Sequence, residues 1–240
     1  MTPNDLSIRQ VTDPRDPAIA AFGRLQDRTY ADPDLLIPAS VLPRMLATRT
    51  GERINLMLVA EQGGEVVGGT FFHYFSGTNT GFSSFLAVAP EVRGRGVARA
   101  LHAARFDLLD REAGAKAPVH GVFIDVVAPE RISAEELAAE RRVGMYPWDR
   151  RRIFHRMGFR KVNLAYFQPA EGSGGTPITT MDLLCCPHTP ADAVRADLVV
   201  GTMLAYWTPW LGRATAERNS AELRRRCGGE TVALLPATAP

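Results

Sequence analysis

The sequence predicts an α/β fold: a mixed, mostly antiparallel sheet of six to seven strands flanked by helices, followed by a helical C-terminal extension. Three observations lead there. The turns Gln62-Gly63-Gly64 and Ser76-Gly77-Thr78-Asn79 join apolar runs as hairpin turns do. The apolar period then changes, with Val97, Leu101, Ala104 and Leu108 recurring at helical spacing from Gly96 to Ala113. That helix lies between two apolar runs, Phe82 to Val88 and Val119 to Val127. Strand, helix and strand make a βαβ unit, which implies parallel pairing.

The elements follow in order. Leu6, Ile8 and Val11 mark a first strand, closed at Asp13-Pro14. Asp16-Pro17 caps and starts a helix running to about Asp27. Pro38 to Ala47 reads as a second, short helix, and Ile54 to Glu61, Glu65 to Phe75 and Phe82 to Val88 as successive strands. On the long helix Arg99, His102, Arg105 and Asp110 fall off the apolar stripe, and Gly114 stands where a C-cap glycine would. Ser133-Ala134-Glu135-Glu136 has the pattern of a capping box, opening a short helix to about Val143. Trp148 to Met157 is another helix, ended by Gly158. Arg160 to Phe167 and Thr179 to Cys185 are the closing strands, joined by a flexible stretch, 168–177.

Pro187 and Pro190 then punctuate the chain. The boundary is placed there: residues 1–186 as one domain, residues 187–240 as a helical extension. Within the extension Ala191 to Tyr206 and the polar piece to Arg226 read as helices, and the last ten residues as a loose tail. Met203, Leu204, Tyr206, Trp207, Trp210 and Leu211 form an apolar stripe that packs on the domain or makes a homodimer contact. Arg224-Arg225-Arg226 sets positive charge against a helix end.

Composition narrows the function. With 240 residues, 45% of them hydrophobic, the chain buries a sizeable core without a disulfide or metal staple. The formal charge of +2 is too small to argue for nucleic acid, and only Lys116 and Lys161 are lysines. Cys185, Cys186 and Cys227 are odd in number and two are adjacent, which describes no disulfide framework and suits a reducing cytoplasm. Neither a signal peptide nor a membrane-spanning run is read from the sequence. Cys185-Cys186-Pro187-His188 lacks a second ligand pair, so no metal site is expected.

Between the strand and the long helix lies Val88-Ala89-Pro90-Glu91-Val92-Arg93-Gly94-Arg95-Gly96-Val97-Ala98. Two glycines and an alanine let backbone close round an anion, and the first-turn N–H groups and helix dipole point at the same place. Arg93, Arg95 and Arg99 add charge-assisted bonds from the side. No Gly-Lys-Ser/Thr is present, and Arg99 stands where a dinucleotide fingerprint has its third glycine. The loop therefore suits a diphosphate held in another way.

What fits is Arg/Gln-x-x-Gly-x-Gly/Ala, met by Arg93, Gly96 and Ala98. That signature resembles the GNAT superfamily of acetyltransferases, over roughly residues 5 to 186. The run Phe154-His155-Arg156-Met157-Gly158-Phe159 is similar to the family's second landmark, an aromatic residue four positions before Gly-Phe. The resemblance implies acetyl-CoA as cosubstrate, its diphosphate on Arg93, Gly94, Arg95, Gly96, Val97, Ala98 and Arg99. It implies pantetheine pairing along Leu86, Ala87 and Val88, with Phe154 beside the coenzyme. By resemblance the Val88 N–H polarises the thioester carbonyl, a contribution of ~3 kcal/mol when one such donor is lost. The implied reaction is acetyl transfer to a primary amine by direct attack in a ternary complex. The alternative is a sensor or assembly module that holds acyl-CoA without turnover.

An attacking amine must lose a proton, and several groups are candidate bases: Asp125 on the parallel strand, Glu130 beyond it, His73 on the third strand and Glu91 in the loop. The sequence departs from the family at Phe154, where many members carry a tyrosine thought to protonate the leaving thiolate. Tyr146 and His155 are the candidate substitutes. A second departure is the insertion from Ala128 to Pro147, with Met145, Tyr146 and Trp148 placed to wall an acceptor pocket.

Overall fold

Turn and cap chemistry set the order of elements in the computed structural model, which describes residues 6–31, 36–170 and 175–240. The first half comprises β1 (Ser7–Gln10), α1 (Pro17–Thr29), α2 (Leu42–Ala47), β2 (Arg53–Gln62), β3 (Glu65–Phe75), β4 (Thr80–Val88) and α3 (Val97–Ala113). The second half comprises β5 (Gly121–Val127), α4 (Ala134–Arg142), α5 (Pro147–Arg156), β6 (Arg160–Val162) and β7 (Met181–Pro187). The chain closes with β8 (Ala193–Arg195), α6 (Ala196–Leu211), α7 (Arg213–Cys227) and β9 (Thr231–Pro236). Asp16 caps α1 by accepting from the Ala18 amide, and Ser133 with Glu136 forms the full capping box on α4.

The sheet order is β1-β2-β3-β4-β5-β7-β6-β9-β8. Pairs are antiparallel except β4 with β5, which meet in parallel only at Gly81–Val122 and Phe82–Phe123. Past that point the two strands part. A register shift between Phe71 and Phe72 opposes Phe85 and then Ser83, so Ser84 is the extra residue of a bulge in β4. Bulges bend a strand and re-aim a side chain, and this one opens the gap that the site occupies.

One face of the sheet buries Phe22 of α1, with Leu101, Leu108 and Leu109 of α3. Gly69 is needed there, since a Cβ would stand 2.6 Å from the Phe22 ring. His102 and Arg105 of α3, off the apolar stripe in sequence, are buried all the same. Arg105 reaches Ser83 Oγ at 2.6 Å, and desolvation lowers its pKa to about 10. The cost of burying it is offset by hydrogen bonds to hydroxyls inside the sheet.

The other face is covered by the C-terminal segment. Ala196, Val199, Met203 and Trp207 of α6 are fully enclosed with Phe75, Phe82 and Phe123 of the sheet. The expected tail is a strand instead. Val232 and Leu234 alternate inward along β9, which pairs with β6 and carries β8 on its outer side. Nine strands therefore stand among the described residues, against the six to seven expected, because residues 187–240 supply two of them. The strand expected over 160–167 ends at Val162, where the backbone turns and carries Tyr166 and Phe167 under the C-terminal helices. Arg226 covers the Phe167 ring at 4.4 Å. Part of the expected flexible stretch, residues 171–174, lies outside the described residues.

Asp182 of β7 gathers Arg151 of α5 at 2.5 Å, Lys161 of β6 at 3.3 Å and Arg131. Arg151 also donates to the Ala239 carbonyl at 2.9 Å, so one buried network ties helix, sheet and chain end together.

Candidate active site

The parting of β4 and β5 leaves a cleft of about 610 Å³, running from the N-terminus of α3 to Asp125. Val88-Ala89-Pro90 leads from β4 into the loop. Gly94 and Gly96 have φ of +78° and +85°, and a Cβ on either would meet open space. The requirement for glycine is thus conformational, not steric. Gly96 is the N-cap of α3 and brings no capping side chain, so the first-turn amides are left to a ligand.

Of the expected coenzyme residues, Leu86, Ala87, Val88, Arg93, Gly94, Gly96, Val97, Ala98, Arg99 and Phe154 all line this cleft. Arg95 is exposed and is not among its lining. Arg93 behaves differently from expectation. Its side chain turns back, Nε donating to the Val88 carbonyl at 3.3 Å and Nη1 to the Gly144 carbonyl at 2.5 Å. It clamps the loop to the insertion. Glu140 and Met145, both in the insertion, line the cleft, and Glu140 pairs with Arg150 at 2.5 Å. The insertion thus borders the glycine loop, where an acceptor-side cover was expected.

Backbone polarity in the gap is also readable. The Leu86 amide donates to the Tyr30 hydroxyl at 3.2 Å, and that hydroxyl lies 3.3 Å from the Leu86 carbonyl. By strand alternation the Val88 amide points the same way as that of Leu86, into the gap.

Asp125 lies in the opposite wall, on β5. Burial raises its pKa to about 6, against the stabilising hydrogen bond it accepts from the Tyr166 hydroxyl at 3.1 Å. The other candidate bases are placed less well. Glu91 is exposed and 3.5 Å from Arg28, and Glu130 is exposed in a turn. His73 is fully enclosed, and burial together with the adjacent Arg53 pushes its pKa well down, so it stays neutral. Tyr146 does not line the cleft; the Arg141 guanidinium lies over its ring at 4.9 Å. His155 is likewise absent from the lining, and Phe154 packs edge-on to Phe159 at 5.3 Å.

Sequence reasoning missed Tyr30, Ser84, Tyr166 and Tyr206 as cleft or near-cleft groups. Ser84 is aimed into the cleft by the bulge and bonds His73 Nε2 at 2.8 Å. Tyr206 of α6 stacks on Phe82 at 3.8 Å and lines the same cleft. Of these only Ser84 lay in a segment the pattern had singled out as a strand beside the loop. Bulge position and the reach of an appended helix leave no local sequence signal. Cys185 and Cys186 are buried in β7, and His188 pairs with Asp110 at 3.0 Å. No cluster of metal-ligating side chains occurs among the described residues. Nor is any helix among them long and apolar enough to cross a membrane.

The site is thus a mixed sheet parted at a bulge, with a glycine turn and an uncapped helix N-terminus at the mouth of the gap. Residues 53–161, a little under half of the chain, match the acetyltransferase (GNAT) domain, which supports a GNAT superfamily member and an acyltransferase. A GNAT-family protein of Bacteroides thetaiotaomicron has the same fold, with a TM-score of 0.56 and 16% identity, over 86% of this chain and 98% of that one. The ribosomal-protein-S18-alanine N-acetyltransferase of Escherichia coli aligns with a TM-score of 0.48 and 15% identity, over 78% of this chain and 96% of that one. At 16% identity the likeness to the Bacteroides protein is one of fold. No curated protein matches the chain.

Proposed function

We propose that the chain moves an acetyl group from acetyl-CoA to a primary amine by direct attack in a ternary complex, in the cytoplasm. The observation that carries this is the continuity of the cleft, from the uncapped N-terminus of α3, along Leu86 to Val88, to Asp125. Gly94, Gly96 and the amides of Val97, Ala98 and Arg99 hold the diphosphate. Arg99 and Arg95 supply charge from the solvent side, while Arg93 fixes the loop instead of reaching out. Tyr30 occupies the Leu86 amide in the free protein and gives it up to pantetheine.

Asp125, ionised above pH ~6, takes a proton from the incoming ammonium. The amine nitrogen then forms a bond to the thioester carbon, and the Val88 amide steadies the charge on its oxygen. The C–S bond then breaks, the thiolate leaves with the bonding pair, and the nitrogen, cationic since the attack, releases its second proton to solvent. Phe154 cannot donate a proton to it. A thiol with a pKa of ~8.5 leaves as thiolate at modest cost, so the missing phenol slows the step without forbidding it. The non-catalytic acyl-CoA-binding reading rests on that same Phe154.

The test is calorimetric titration with acetyl-CoA of the wild type and Gly96→Glu, followed by thiol release with a panel of amines. Binding lost in the variant, with amine-dependent thiol release by the wild type, is the expected result. Binding without release by any amine would leave the acyl-CoA-binding reading in its place. No binding of acetyl-CoA or longer acyl-CoAs by the wild type overturns both.

A further inference from the structure

A second cavity, of about 1130 Å³, opens behind the first and shares Phe85, Gln168 and Tyr206 with it. Its walls are largely apolar: Ile37 and Met45 near α2, and Leu204, Pro209 and Trp210 of α6. Into it faces Arg53, the first residue of β2. Arg53 has no carboxylate partner among the described residues. Nε donates to Asn55 Oδ1 at 3.0 Å, Nη1 to the Tyr206 carbonyl at 3.4 Å, and Nη2 lies 3.1 Å from His73 Nδ1. A guanidinium carries five N–H groups, so at least two remain to be used.

A desolvated cation without a counter-ion is costly and points to an anion that arrives later. Burial lowers the Arg53 pKa to about 10, which leaves it charged at neutral pH. Glu217 in the same wall is held by Arg213 at 2.8 Å, and Glu52 is exposed. From the guanidinium a short chain leads to the acyl-transfer cleft, since His73 Nε2 is 2.8 Å from Ser84 Oγ and Ser84 lines that cleft.

We infer that this cavity takes the acceptor, and that the acceptor is a small amine bearing a carboxylate and an apolar side group, its carboxylate held by Arg53. The inference rests on the proposed transferase activity, whose acceptor class it names. The planar fork of arginine fits a carboxylate bidentately, and the apolar walls select an aliphatic or aromatic side chain over a polyamine. Neutral His73 and Asn55 hold the guanidinium in place.

The test separates this from the transferase reading by measuring binding without turnover. N-acetylphenylalanine, the product form of such an acceptor, is titrated calorimetrically against its uncharged amide. The wild type is expected to bind the acid at least ~10-fold more tightly. Arg53→Ala abolishes the preference and Arg53→Lys restores part of it. In parallel, thiol release from acetyl-CoA is compared for phenylalanine and phenylalaninamide. Equal binding of acid and amide by the wild type, or no binding of the acid at millimolar concentration, overturns the inference even where other amines are acetylated. Preference for the acid in binding, with no thiol release from any amine, keeps the carboxylate site and removes the transferase reading.

Discussion

Replacing Asp125 by asparagine separates the chemistry of the site from its cost. The folded protein holds the Asp125 proton up to about pH 6, whereas an ordinary aspartate releases it at 3.8. Because the folded pKa is the higher one, the stabilising effect of protonation is present in full below 3.8 and is lost as pH rises through 6. Above that the folded state bears a buried charge, a cost of up to about 3 kcal/mol for the pKa difference. Roughly 1.4 kcal/mol of it falls between pH 5 and pH 8. The asparagine of Asp125→Asn does not titrate, and its amide oxygen still accepts from Tyr166. Urea unfolding at the two pH values should therefore show the variant gaining about that much on the wild type as pH rises. Acceptor-dependent thiol release should fall ~100-fold or more in the variant and lose its acidic limb near pH 6. A stability difference that stays constant across pH would refute the raised pKa. A variant with full activity and an unchanged pH profile would remove Asp125 as the base.

Trp207→Ala should cost ~3–5 kcal/mol by leaving a cavity beneath a side chain with no exposure, measured by urea unfolding. Loss much below 1 kcal/mol would mean that α6 is loosely held. Arg93→Met releases the Gly144 carbonyl and should raise protease cleavage and hydrogen exchange in the insertion more than elsewhere; unchanged exchange there would count against the clamp. Phe154→Tyr puts a phenol in the cleft and should raise kcat at pH 7 but not at pH 9, where the thiolate needs no donor; equal ratios at both values would show that thiolate protonation does not limit the rate.

Much of the fold is local chemistry and could be read as such. The Asp16 cap, the Ser133–Glu136 box, the Gln62-Gly63-Gly64 turn and the Gly96 start of α3 each carry their own signal within a few residues. The glycine loop is legible for the same reason, since positive φ at Gly94 and Gly96 demands glycine where the chain enters a helix. What escaped is non-local. Arg105 looks like a surface residue along α3, and its burial is made tolerable by the hydroxyls of Thr70 and Ser83 across the sheet together with His102 Nδ1. The six-residue strand β9 has two inward residues, Val232 and Leu234, too weak a pattern to distinguish from a tail until the edge of β6 is known. Arg93 matched the signature, yet its side chain is diverted by a carbonyl from 51 residues away.

The C-terminal segment is the clearest case of core and cavity wall sharing residues. Trp207 fills the core below the sheet, while Tyr206, its neighbour on α6, stands at the seam of the two cavities. The Tyr206 carbonyl also accepts from Arg53. One turn of one helix therefore contributes packing, a wall of the first cleft and a support for Arg53 in the second cavity. A helix placed so cannot shift to improve one of these without disturbing the others, because packed interiors transmit small displacements. Substitutions on α6 that relax its packing should thus show first as a weaker discrimination between acid and amide ligands. General loss of stability follows only when Met203 or Trp207 is itself cut back.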